Sequence, residues 1–153
     1  MATQIKPAEG DLYERDFYLW AERQAALLRA GRLGDLDLDN LVLEVEGLAD
    51  SRRSAVLNNA RIVLEHLLKL EHSPAREPRN EWRRSVREHR RRLQTDLTPR
   101  LERILQNELP QQYAMARADA AGSMRDHGEE AAADGLPETC PYDLERITGD
   151  WLP

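Results

Sequence analysis

Cysteine is almost missing from this chain of 153 residues, in which Cys140 is the only one. One thiol per chain excludes an intrachain disulfide framework and a zinc site built from several cysteines. Aromatic residues make up only 5 %, glycine and proline number eight each, and β-branched residues are sparse. Alanine, leucine, arginine and glutamate dominate instead, and these residues favour helix.

Long apolar runs are also lacking. No segment approaches the ~20 apolar residues of a membrane span, and the N-terminal stretch MATQIKPAEG lacks the apolar core of a signal peptide. Apolar residues still make up 41 % and charged residues 33 %, which is typical of a soluble globular protein. The lone cysteine fits a reducing compartment, so we expect a cytoplasmic protein with no membrane partner.

Excess positive charge is missing as well. The net charge is −6 and the isoelectric point is near 5.3, whereas a nucleic-acid binder of this size is usually basic. The sequence contains no glycine-rich phosphate loop and no G-x-S-x-G nucleophile motif. These absences favour a non-catalytic protein without a cofactor.

Helical periodicity is what the chain does have. It predicts an all-α helical bundle of about four main helices with a short packed C-terminal segment. Residues 1–10 are predicted to be a flexible arm, and residues 11–153 a single domain. The first helix is expected to be capped by Asp11 and stopped by Gly31. A long helix is predicted from about residue 38 to 71.

Several residues suggest breaks in the later helices. Gly47 could mark a bend, and Asn80 is a candidate N-cap for the next helix. Thr98-Pro99 predicts a fresh helix start, with proline at the first helical position. Pro110 is expected to open another helix, and the polar stretch 126–138 to form a mobile loop.

Five segments in order resemble the domain-of-unknown-function 29 family of bacterial proteins. They are YERDFYLWAERQAALLRAGRLGDLD, LVLEVEGL, EHLLKLEHSP, EWRRSVREHRRRL and CPYDLERITGDWLP, and they extend over about residues 13–153. The resemblance implies an all-helical domain, and no established activity comes with it. Leu43 departs from the family pattern, which usually has an acidic residue there, so a site needing every carboxylate is weakened.

One predicted helix carries a basic face. Five arginines fall on one side of the apolar stripe that begins at Trp82, within a segment, residues 76–103, of net charge +5. Such a face could contact phosphates of a nucleic acid, or be solvated, or meet a protein partner. The acidic remainder of the chain favours the last two interpretations. The arginines are Arg83, Arg84, Arg87, Arg90 and Arg91.

A metal site is a further hypothesis. Glu44, Glu46, His66 and His89 could meet across the bundle, although no HExxH motif and no Glu-x-x-His pair supports di-iron chemistry. The favoured alternative for His89 is a core histidine with one hydrogen bond. The favoured interpretation of Cys140 is a buried structural thiol.

Three functions therefore stay open. The first is a small non-catalytic helical protein that acts through protein contacts, including self-association into a homo-oligomer. The second is a nucleic-acid-associated protein that uses the arginine-rich helix 80–97. The third is a metal-binding helical bundle.

Overall fold

The structure, a computed structural model, describes the backbone of residues 9–153 and the side chains from Leu12 onward. The described chain contains helices and no strand, so the all-α prediction is confirmed. A short 3₁₀ helix, Leu33–Asp35, separates the second and third α-helices. The α-helices are α1 Glu9–Arg15, α2 Phe17–Arg29, α3 Leu38–His72, α4 Arg79–Asp96, α5 Pro99–Asp126, α6 Glu130–Asp134 and α7 Leu144–Thr148.

The chain divides into two compact units, an N-terminal unit up to Asp50 and a C-terminal unit from Ser51. The boundary falls within α3. The prediction of a single domain over residues 11–153 stays a prediction, and the predicted arm lies mostly outside the described residues.

The first predicted helix is in fact two helices. Asp11 lies inside α1, so its predicted role as an N-cap is wrong. The chain breaks at Asp16, which has non-helical backbone angles, and its Oδ1 accepts a hydrogen bond from the Leu19 N–H at 3.0 Å. Gly31 follows the end of α2 with a φ of +69°, a left-handed conformation that glycine adopts without steric strain.

The later boundaries differ in part from prediction. α3 passes through Gly47 without a break. α4 begins at Arg79, before Asn80, so Asn80 is not its cap. Thr98 does cap α5, because its Oγ1 accepts a hydrogen bond from the Leu101 N–H at 3.3 Å.

α5 also continues through Pro110, so the prediction of a new helix there is wrong. An internal proline costs about 3 kcal/mol of helix stability because it has no N–H to donate. The buried residues Tyr113, Ala116 and Ala120 follow it in α5, and their packing offsets that loss. The predicted loop 126–138 contains the short helix α6 and is not wholly irregular.

The core of the C-terminal unit is built around the second part of α3. Its buried stripe packs with apolar residues of α4, α5, α6 and α7. The tail packs as predicted, since Tyr142 is buried and Ile147 of α7 is fully buried. The α3 residues of this core are Val56, Leu57, Ala60, Val63, Leu64, Leu67, Leu68 and Leu70.

Candidate functional site

The N-terminal unit is held together by a few buried side chains of α2. Trp20, Gln24 and Leu27 are buried on one face of that helix. The Trp20 indole N–H donates to Asp37 Oδ2 at 3.0 Å, and the Asp37 backbone N–H donates to Gln24 Oε1 at 2.9 Å. The Tyr13 hydroxyl donates to Glu44 Oε1 at 2.5 Å, which connects α1 to α3. These bonds fix the helices of the unit relative to one another.

The carboxyl group of Asp37 is the centre of this polar network. It precedes α3 and accepts hydrogen bonds from the side chain of Asn40 at 2.8 Å and from Trp20. The hydrogen bond from Asn40 is the main reason that the pKa of Asp37 lies below its ordinary value. The Glu44 carboxylate, in turn, raises the pKa of Tyr13 through their hydrogen bond.

Around this small interior the unit leaves an unusual number of apolar side chains in solvent. Twelve large hydrophobic residues are exposed in the described part of the chain, and ten of them belong to the N-terminal unit. We call these ten residues the apolar surface. They are Phe17, Tyr18, Leu19, Leu28, Leu33, Leu38, Val42, Leu43, Val45 and Leu48.

On α3 the apolar surface follows a regular spacing. Leu38, Val42, Val45 and Leu48 are three or four residues apart and so share one side of the helix. Val45 is 64 % exposed and Leu48 is 68 % exposed. The spacing is that of a helix that packs against another helix, yet no described residue covers these positions.

The total exposed area of these ten residues is as large as one side of an interface. At about 200 Å² for each large side chain, the exposed fractions sum to roughly 1,000 Å². A standard protein interface buries about 800 Å² on each partner, and a typical monomer has a largest apolar patch of about 300–600 Å².

A second feature lies on α4, where the structure separates the five predicted arginines. Arg90 is only 4 % exposed and holds the C-terminal segment: its Nε donates to the Ile147 carbonyl at 3.1 Å, and its Nη2 donates to the Arg146 carbonyl. Arg83 is half-buried, and its Nη1 donates to Asn80 Oδ1 at 3.4 Å. Arg84, Arg87 and Arg91 remain exposed.

The exposed arginines line a cleft between α4 and the C-terminal segment. The cleft has a volume of about 490 Å³. We call it the arginine cleft. Its lining residues are Arg84, Arg87, Arg90, Arg91, Gln94, Asp150 and Leu152.

Comparison with known protein families shows to which family the chain belongs. The sequence profile of one family, described as Domain of unknown function DUF29, matches residues 12–152. The chain belongs to the DUF29 family. No curated protein and no solved structure matches it. Membership of DUF29 agrees with the resemblance of the five sequence segments and assigns no activity.

The hypothesised metal ligands of this DUF29 protein do not form a donor set. Glu44 accepts the hydrogen bond from Tyr13, and Glu46 is exposed. Within residues 12–153, no group of three or more His, Cys, Asp or Glu side chains is placed to hold a metal ion.

The two histidines of that hypothesis lie in the C-terminal unit. His89 Nδ1 donates to Asn59 Oδ1 at 2.7 Å, as expected for a core histidine with one hydrogen bond. His66 Nδ1 is buried without a partner among the described residues. Burial lowers the pKa of His66 and of His89, so both favour the neutral form.

Cys140 is half-buried, and its Sγ donates to the Tyr142 carbonyl at 3.3 Å. Burial raises the pKa of this thiol, which keeps it protonated and makes it a poor nucleophile. Its neighbour Tyr113 donates to the Pro137 carbonyl at 2.7 Å, and burial raises the Tyr113 pKa to about 12. These contacts are structural.

Sequence reasoning missed one buried cation. Lys69 is 7 % exposed, pairs with Glu65 at 2.6 Å and lies 5.9 Å from the ring centroid of Trp82. The Glu65–Lys69 spacing of four residues on one helix was the signal that could have identified the ion pair. Lys69 and Trp82 also line a cavity of about 410 Å³.

No helix in the described part of this DUF29 protein is long and apolar enough to cross a bilayer.

Proposed function

We propose that this protein is a non-catalytic interaction module that self-associates through the apolar surface of its N-terminal unit. The observation that carries the proposal is the concentration of exposed large hydrophobic residues there, ten of the twelve found in the described chain. Water contact with that much apolar area is unfavourable, and association removes it.

A second copy of the chain is the partner that the composition of α3 favours. Leu38, Val42, Val45 and Leu48 form an apolar centre, while the acidic residues Asp39, Glu46 and Asp50 lie to one side of it on the helix. An apolar centre with a polar rim is the anatomy of homodimer interfaces, and a two-fold axis makes one such surface complementary to itself.

The salt dependence of association distinguishes a second copy of the chain from a basic protein partner. Residues 12–50 contain nine acidic and four basic residues, a net charge of −5. Two copies that meet through this unit bring like charges together, so added salt should strengthen self-association by screening the repulsion. A basic protein partner would instead bind more weakly as salt increases.

The test is sedimentation velocity from about 1 to 100 μM, the range for micromolar association, at about 0.05 M and 0.5 M salt. We expect the average mass of the wild-type protein to rise with concentration, and more steeply at high salt. Val45→Lys introduces a charge within the exposed apolar stripe of α3 and should leave a monomer. Met115→Lys is the matched control, since Met115 is an exposed hydrophobic residue of the C-terminal unit.

Two results would overturn the proposal. One is a wild-type protein that stays monomeric over the whole concentration range. The other is a Val45→Lys variant that associates as strongly as the wild type, since the apolar surface would then not be the contact. Circular dichroism of each variant checks that it has kept its helices.

A further inference from the structure

Three arginine side chains of α4 have no carboxylate partner, although the chain contains more acidic than basic residues. The guanidinium groups of Arg84, Arg87 and Arg91 make no hydrogen bond or ion pair with any residue in the described part of the chain. The chain as a whole has 28 acidic residues against 22 basic ones. Several other arginines do pair with carboxylates, namely Arg32, Arg52, Arg53, Arg61, Arg92 and Arg125.

The three arginines also converge. They occupy positions i, i+3 and i+7 of one helix, so their side chains leave the same side of α4. Like charges on one side of a helix repel one another, and the nearby carboxylates, Asp150 in the same cleft and Glu88 beside Arg91, form no ion pair with them. An anion bound among them would relieve the repulsion.

The cleft that they line has a fixed opposite wall. Buried Arg90 holds the carbonyls of Arg146 and Ile147, and Gln94 Nε2 donates to the Thr148 carbonyl at 3.1 Å. The guanidinium of Arg146 lies 4.9 Å from the ring centroid of Trp151. The C-terminal segment is therefore fastened to α4 at several points, which gives a pre-formed cleft of the kind that binds small ligands.

The charge of the cleft is strongly positive in an acidic protein. Four arginines line it and Asp150 is the one acidic residue among its lining residues, a net charge of +3. Its volume of about 490 Å³ suits a small molecule. The planar guanidinium fork of arginine matches the oxygen spacing of phosphate and can donate two hydrogen bonds to it.

We propose that the arginine cleft binds a small ligand carrying at least two phosphate groups. Arg84, Arg87 and Arg91 supply the direct contacts, and Arg90 acts as a positioning residue that holds the far wall. Asp150 faces the same space, where its carboxylate would accept a hydrogen bond from a ligand hydroxyl. This site is separate from the apolar surface and does not depend on self-association.

A small phosphate ligand fits the observations better than a nucleic acid does. Nucleic-acid surfaces need cations spread along a backbone track, and here Arg84, Arg87 and Arg91 come together in one cleft. The next depression along α4 contains the acidic residues Glu88 and Asp96 beside Arg91 and Arg92, and these carboxylates interrupt the positive surface.

The test is isothermal titration calorimetry of the full chain with two probes, inorganic pyrophosphate and fructose 1,6-bisphosphate. We expect saturable binding of one ligand per chain. Arg87→Gln should weaken it about tenfold or more, because a charge-assisted bidentate contact is lost. Arg84→Gln should behave in the same way. Both side chains are exposed, so the fold should survive both substitutions.

Arg100→Gln is the matched control. Arg100 is an exposed arginine of the C-terminal unit that does not line the cleft, and its loss changes the net charge by the same amount. The affinity of the Arg100→Gln variant for each probe should stay within about twofold of the wild-type affinity. Tighter binding of fructose 1,6-bisphosphate than of pyrophosphate would support the role of Asp150, and Asp150→Asn should then remove the difference.

Three results would overturn the proposal. The first is no binding of either probe at about 1 mM. The second is an equal loss of affinity in Arg87→Gln and Arg100→Gln, which would indicate unspecific attraction. The third is a short single-stranded DNA that binds more tightly than both probes and loses affinity in Arg87→Gln, which would make the cleft part of a nucleic-acid surface.

Discussion

The two units of this protein use apolar residues in opposite ways. The C-terminal unit contains 20 of the 22 buried hydrophobic residues of the described chain, whereas the N-terminal unit contributes only Trp20 and Leu27. The exposed large hydrophobic residues show the reverse distribution, with two in the C-terminal unit, Met115 and Trp151. One unit forms its own core, and the other presents its apolar residues to solvent.

Charge follows the same division. Residues 51–153 have 17 acidic and 17 basic residues, so the whole net charge of −6 lies in residues 1–50, with 11 acidic and five basic. A short segment with about two and a half helices has too little chain to cover its own apolar faces. Under the proposed function, the N-terminal unit acts by contact and the C-terminal unit provides stability.

The strongest test of this contrast compares two leucines of α3. Leu67 is fully buried and Leu48 is 68 % exposed. Leu67→Ala should lower the free energy of unfolding by about 2–5 kcal/mol through cavity formation. Leu48→Ala should change it by less than about 0.5 kcal/mol. Urea unfolding of dilute protein measures both, and equal losses would break the comparison.

The next test concerns how the C-terminal unit holds its last helix. Arg90→Met keeps the apolar stem but removes the hydrogen bonds to the Arg146 and Ile147 carbonyls. We expect the free energy of unfolding to fall by about 1.5–3 kcal/mol. The amides of α7 should then exchange faster with deuterium. Arg91→Met is the control, because Arg91 is exposed and should leave that exchange unchanged. Unaltered α7 protection in Arg90→Met would show that other contacts hold the segment.

A smaller effect is expected inside the N-terminal unit. Asp37→Ala removes the cap of α3 and the acceptor of the Trp20 indole, and should cost about 1 kcal/mol. The Trp20 indole N–H signal in NMR should shift. Asp39→Ala is the control, since it removes an equal charge from an exposed side chain two residues along the chain. A Trp20 signal that responds equally to both substitutions would contradict a specific role of Asp37.

A titration to acidic pH provides a second measurement on the Asp37 carboxylate. The pKa of Asp37 is lowered on folding, so its stabilising contribution is present above the unfolded pKa, about 3.9. It is lost as the pH falls through the lower, folded pKa. The Trp20 signal should titrate in that acidic range in the wild type and not in Asp37→Ala.

The smallest expected effect is a pH dependence of the C-terminal unit. Burial lowers the pKa of His66, so the unfolded chain binds the proton first, near pH 6.5. Stability should therefore be full above that pH and decrease as the pH falls toward the folded pKa. His66→Gln should flatten the decrease in melting temperature between about pH 8 and pH 5.5.

His89 leaves part of that pH dependence in place, because burial lowers its pKa as well. His127→Gln is the control, as His127 is exposed and caps the end of α5. A His66→Gln variant with the full wild-type pH dependence would show that His66 does not cause it.

The sequence by itself determined the all-α class, the limits of α3 within one residue, and the start of α5 at Thr98-Pro99. Periodicity and capping residues act over a few neighbouring positions, so they can be read locally. Two of the boundaries that failed, at Asp16 and Pro110, are ones where a competing cap or packing outweighed a local signal.

Only the tertiary structure decided which apolar stripes are covered. Val45 and Leu67 are indistinguishable as members of a helical stripe, yet one is 64 % exposed and the other fully buried. In the same way, Arg90 and Arg91 are adjacent in one arginine run, while one anchors the C-terminal segment and the other lines an open cleft. Burial depends on which elements reach a given side chain, and that depends on residues distant in the sequence.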